Sequence, residues 1–139
     1  MFAAIPLLSF PVAAYVFFVF VWDAGGAGAA TQAVHSRLTD PLFTLGGAAG
    51  NGWPISVADL LVAAALVVMF VELLKAPPGR AVAAANHALT ILLFIMCLAA
   101  LLLVPQFSTS TFLLITLMIL LDVVAGFILT FAPPGEEGL

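Results

Sequence analysis

The chain has 139 residues; 65% are hydrophobic, 7% are charged, and the net charge is −4. An ordinary soluble domain carries about 25% charged residues, so this composition predicts an all-α membrane protein whose solvent is mostly the bilayer. The only basic residues are Arg37, Lys75 and Arg80, too few to neutralise several phosphates, so no nucleic-acid partner and no polybasic lipid-binding segment is expected.

About 20 apolar residues in a helix cross a hydrocarbon core about 30 Å thick, and the chain offers four such runs. They lack the period-2 alternation of a membrane barrel. The first run, residues 2–22, carries no charge. Small residues after Trp22 resemble a signal-cleavage region. The run is too long for a leader and has no basic start, so it reads as a retained anchor. Pro6 and Pro11 are expected to kink its first half or leave it irregular. Residues 23–54 are too many for a simple link. Within them "DAGGAGAA" reads as flexible and "TQAVHSRL" as about two helical turns. "LFTLGGAAGNGWPIS" reads as two short strands around a Gly/Asn turn. His35 is expected to be solvated.

The second run covers residues 55–74. "PISVADLL" supplies Ser56 as N-cap with Asp59 three residues on, close to a capping box, and Asp59 suits the positive end of the helix dipole. "APPGR" ends this helix and makes a short link to the third run, residues 81–104. That run holds Asn86 and His87 near its start. It also holds Cys97, the only cysteine, which excludes an internal disulfide and a cysteine-based metal cluster. "VPQFSTST" ends it and offers Ser108 or Ser110 as cap for the fourth run, residues 111–131. "APPGEEGL" is a short polar tail. The expectation is therefore one membrane domain with four transmembrane helices and a partly structured outer loop between the first two.

Lys75 and Arg80 flank the second link, while the first loop holds only Arg37. The positive-inside rule then places the second link and both termini in the cytoplasm. Trp22 and Trp53 fall at one predicted outer interface, as anchors in an aromatic belt.

Ionisable residues inside membrane helices mark functional sites by default. Asp122 stands in "ITLMILLDVVAGF". A central Asp costs about 3 kcal/mol on insertion scales, and each Leu, Ile, Phe or Val returns about 0.3 to 0.6. The fourth run has 14 such residues, so insertion is secure. On the same face lie Met118, Gly126 and Thr130, at i−4, i+4 and i+8. Gly126 permits close helix approach and Thr130 a hydrogen bond across helices, so this face is expected to pack against another helix. Glu72 and Lys75, at i and i+3, are expected to pair or to snorkel to the headgroups. Asn86 and His87 lie near the same side and are placed to meet Glu72. A cluster of Glu72, His87 and Asp122 would suit a proton relay.

Cofactor readings fare worse, and no cofactor or metal is expected. Bis-histidine haem needs two membrane histidines, and only His87 qualifies. A di-iron site needs more Glu and His than this chain owns. "AVAAANH" has the alanine–histidine spacing of light-harvesting polypeptides, in which His ligates bacteriochlorophyll, but those proteins have one membrane helix. No phosphate loop, nucleophile triad or zinc motif is present.

"DLLVAAALVVMFVELLKA" and "NHALTILLFIMCLAALLLVPQFSTSTFLLITLMILLDVVAGF" resemble a group of small four-helix inner-membrane proteins of alphaproteobacteria to which no activity is assigned. The likeness covers residues 55–130. It implies a bacterial inner-membrane location and nothing about chemistry. Small multidrug transporters are similar in size and helix number, but their essential acid lies in the first helix, where this chain has none. The leading functional expectation is a non-enzymatic accessory or stabilising subunit that contacts lipids and partner membrane subunits. The rival is a small oligomeric transporter or proton-linked channel built around Asp122.

Overall fold

A computed structural model of the chain describes residues 5–22, 27–48, 50–75 and 79–131. The described elements are α1 (Ser9–Trp22), α2 (Ala27–Thr39), β1 (Pro41–Leu45), β2 (Trp53–Ser56), α3 (Val57–Leu74), α4 (Arg80–Leu103) and α5 (Ser110–Phe131), with a 3-10 turn at Pro105–Phe107. Three of the helices, α3, α4 and α5, are long and apolar enough to cross a membrane; α1 is a shorter apolar helix.

The first run is shorter as a helix than its hydrophobicity suggested. Residues 5–8 form a turn in which the Pro6 carbonyl accepts the Ser9 N–H at 3.0 Å and the Ser9 hydroxyl at 2.7 Å. The helix starts at Ser9 and puts Pro11 in its third position, where a missing N–H removes no helical hydrogen bond. Pro6 thus sets where the helix begins. The opening of the run at residues 2–4, the "APPGEEGL" tail at 132–139 and the centre of "APPGR" at 76–78 lie outside the described residues, as do residues 23–26 of "DAGGAGAA"; residues 27–30 of that stretch, expected to be flexible, begin a helix instead.

Residues 27–56 hold more structure than an exposed loop would. "TQAVHSRL" belongs to a 13-residue helix, α2, rather than two turns. Its Val34 and Leu38 are fully buried, packed where α2 meets α3 and the 3-10 turn. His35 is exposed, as expected. The hairpin pairs β1 antiparallel to β2, with Leu45 opposite Trp53 and Phe43 opposite Ile55, and a register irregularity between Pro41 and Phe43. Gly50, with φ of 75°, lies in its turn, a conformation that glycine adopts without a Cβ penalty. Trp53 is exposed on this hairpin.

The hairpin runs directly into α3 through Ser56, whose extended backbone makes it the N-cap. Its Oγ accepts the Asp59 N–H at 3.3 Å, and the Asp59 carboxylate accepts the Ser56 N–H at 2.9 Å. The capping box read from "PISVADLL" is therefore complete. Ser56→Ala should fray the first turn of α3 and lower stability by about 1 kcal/mol; unfolding titration in mixed detergent measures it, and an unchanged midpoint would contradict this role for the cap.

The cap of α5 is Thr109, not Ser108 or Ser110. The Thr109 Oγ1 accepts the Phe112 N–H at 3.2 Å. Ser108 is committed elsewhere: its hydroxyl donates to the Leu101 carbonyl at 2.8 Å and so satisfies the frayed end of α4.

The three long helices do not surround a common axis equally. α5 packs heavily against both α3 and α4, while α3 and α4 make little contact with each other among the described residues. This makes α5 the central helix. It supplies buried Thr111, Phe112, Ile115, Thr116 and Ile119. Around Phe112 gathers an aromatic group: Tyr15 at 4.9 Å and Phe107 at 5.0 Å between ring centroids. The Tyr15 hydroxyl hydrogen-bonds Thr109, so α1 is tied to the cap of α5. This end of the bundle is packed and apolar. Cys97, only 3% exposed, joins the same core.

Candidate functional site

The polar residues collect at the opposite end, where α3 finishes and α4 begins. Glu72 is in the last turn of α3, and its side chain is 2% exposed. A carboxylate in such a place needs donors, and it has three sources. The Leu7 N–H donates to Oε2 at 2.7 Å. The Asn86 side-chain amide donates to Oε1 at 3.1 Å. The Lys75 ammonium stands 3.7 Å from Oε1 and donates to the Ile5 carbonyl at 3.1 Å. The pairing of Glu72 with Lys75 expected from their spacing is present, and it does a further job. Together the two residues fasten the turn at residues 5–8 onto the end of α3.

Asn86 and His87 divide their attention. Asn86 faces α3 through Glu72, as the sequence suggested. His87 instead faces α5: a Cβ added to Gly126 would lie 2.5 Å from its Nδ1 and 3.1 Å from its Cε1. The glycine is what lets the imidazole lie against the backbone of α5. The helix that packs against the Asp122 face is therefore α4 of the same chain. Met118 on this face packs against the core. Thr130 does not bridge helices. Its hydroxyl donates to the Gly126 carbonyl at 2.7 Å, a bond within its own helix of the kind Ser and Thr make to i−4.

Between these contacts lies a cavity of about 740 Å³. Its polar lining comes from Glu72 and Lys75 of α3, Asn86 and His87 of α4, and Asp122 of α5, with Arg80, Thr90 and Thr130 beside them. All four intramembrane polar candidates read from the sequence thus line one cavity. The space exists for two reasons. α3 and α4 flank α5 without closing on each other. The positions that would fill the gap are Ala83, Ala84, Ala125 and Gly126, each of which brings little or no side chain.

Two acceptors in this lining lack a donor. The Oδ1 of Asn86 is buried and has no hydrogen-bond partner. Its orientation is set by its own amide nitrogen, which must face the acceptor-only carboxylate of Glu72. Asp122 is half-buried and, among the described residues, makes no ion pair or hydrogen bond. No group of three or more His, Cys, Asp or Glu side chains placed to hold a metal ion occurs among the described residues.

The anchoring of Leu7 by Glu72 was not readable in the sequence. It joins a backbone donor to an acid 65 positions away, and backbone groups leave no residue-type signal. Trp53 is on the hairpin, but the Trp22 side chain lies outside the described residues, so the shared aromatic belt has no structural counterpart to report. Comparison of the chain with protein-family models, curated proteins and solved structures gives no match.

Proposed function

We propose that this is a non-enzymatic, multi-pass protein of the bacterial inner membrane that acts as an accessory or stabilising subunit of a larger membrane assembly. The distribution of apolar surface carries this reading. Large apolar side chains stand exposed along all three long helices, among them Phe70, Leu92, Met96, Leu121 and Ile128. Only the α5 face is substantially covered by the chain itself. Faces of this kind suit lipid on one side and partner helices on another.

In this reading α1 is a fourth membrane segment. Its 14 residues rise about 21 Å, and the fastened turn at 5–8 continues it towards the Glu72 end. Lys75 and Arg80 mark that end as cytoplasmic, and with it both termini. The inner-membrane placement rests on the resemblance of residues 55–130 to the alphaproteobacterial group. The test is purification from native membranes in mild detergent, followed by native mass spectrometry. Stoichiometric recovery of other membrane subunits is the expected result; recovery of homo-oligomers alone would sink the proposal.

A second reading has its own observation, the meeting of Asp122, Glu72 and His87 at one cavity. It makes the protein a small transporter or proton-linked channel, acting as an oligomer because the Phe112 end of the single chain is packed with apolar side chains. Here Asp122→Asn should abolish proton-coupled flux in proteoliposomes. Equal flux in the variant and the parent, or none in the parent, counts against it.

A further inference from the structure

The cavity has a chemical preference that neither functional reading assigns, and it follows from an unpartnered carboxylate. A half-buried charge without a donor points to a missing group. Asp122 lines the cavity and is half-buried, and its carboxylate has no ion-pair or hydrogen-bond partner among the described residues. Asn86 Oδ1 also lacks a donor, but it is wholly covered by the protein, so Asp122 is the acceptor a ligand can reach. The cations nearby leave this imbalance standing. Lys75 is committed to Glu72 and the Ile5 carbonyl, and Arg80, which also lines the cavity, is exposed on the first turn of α4. Of the remaining lining, Thr90 and Thr130 donate their hydroxyls to carbonyls of their own helices and His87 lies against Gly126; Leu73, Leu129 and four small residues supply the apolar surface.

We propose that this cavity binds a primary ammonium attached to an apolar body, with its N–H groups donated to the Asp122 carboxylate and its apolar part against Leu73 and Leu129. The cavity volume of about 740 Å³ lies within the roughly 300 to 1,000 Å³ of small-molecule sites. Two sources supply this chemistry, a free lipophilic amine and the headgroup of an aminophospholipid. A quaternary ammonium carries the same charge but has no N–H to give, so it should bind poorly. The assignment stands whichever partners the outer apolar faces take.

The test uses the full chain in phosphatidylcholine nanodiscs, whose headgroups lack N–H donors, with empty nanodiscs as blank. Calorimetric titration compares phenethylammonium with its N,N,N-trimethyl analogue. The primary amine should bind at least about tenfold more tightly, the equivalent of one charge-assisted hydrogen bond. Asp122→Asn should remove that preference. Asp122 makes no hydrogen bond to another described residue, so its isosteric replacement should leave the fold intact. Ala125→Leu, which fills the cavity from α5, should abolish binding without loss of helicity. Adding phosphatidylethanolamine to the nanodiscs separates the sources: competition with the amine assigns the site to the lipid, and undiminished amine binding assigns it to a free amine. Equal affinity for primary and quaternary ammonium, or binding unchanged in both variants, overturns the proposal.

Discussion

Gly126→Ala should destabilise the bundle by roughly 1–3 kcal/mol, the usual range for forcing a methyl group into a packed contact. The new Cβ would sit 2.5 Å from Nδ1 of His87, 3.1 Å from Cε1 and 3.5 Å from Cγ. Such distances cannot be kept, so the imidazole or a helix has to move. The ring is short and planar, and it cannot yield by bending a flexible end. Moving α4 as a whole would disturb Asn86, which is hydrogen-bonded to Glu72 on α3. A change at one position of α5 therefore reaches α3 through α4. Unfolding titration in mixed detergent reads the loss. Truncating the ring in the double variant Gly126→Ala/His87→Ala should return part of it, because the clash is pairwise. A Gly126→Ala protein as stable as the parent would refute the close approach of His87.

Glu72→Ala should have a larger effect, roughly 2–6 kcal/mol, because two donors each lose their acceptor at about 1–3 kcal/mol apiece. Its removal leaves the Asn86 amide and the Leu7 N–H without an acceptor, while the Lys75 ammonium keeps the Ile5 carbonyl. Glu72→Gln should cost less, since it still presents one acceptor. The loss should also be local enough to see. In the parent chain the Leu7 amide is held at 2.7 Å from Oε2 and should exchange slowly with deuterium; in Glu72→Ala it should exchange at the rate of an open turn while amides in α5 stay protected. Slow exchange at Leu7 in the variant would show that the turn is held by something else.

What the sequence disclosed was mostly local. The Ser56–Asp59 capping box, the hairpin at residues 41–56 and the three long apolar helices all follow from neighbours within a few positions. The polar site residues were visible too, because a charge among aliphatic side chains is conspicuous. Their assembly was less so. The sequence suggested Asn86 near Glu72, but not that His87, one residue on, turns to a different helix. Consecutive helical positions diverge by about 100° around the axis, and only the placement of α5 decides which neighbour each one meets. Residue type alone does not choose the cap of α5, because Ser108, Thr109 and Ser110 are equivalent in that respect; Ser108 is occupied by the carbonyl of Leu101. The polar composition of α2 hides its full length and its buried Val34 and Leu38, because the packing of α2 on α3 and the 3-10 turn is tertiary.

The central position of α5 also bears on how the protein is made. Of the five described helices α5 is the last to leave the ribosome, yet it supplies the surface on which α3 and α4 both pack. Until it arrives, those two helices have little to hold each other, and His87 has no glycine to lie against. Before that, the segments are joined mainly through Glu72, whose partners Leu7, Lys75 and Asn86 all precede α5 in the chain. A chain that stops before residue 110 should therefore hold α3 and α4 only loosely together, because each packs chiefly on α5.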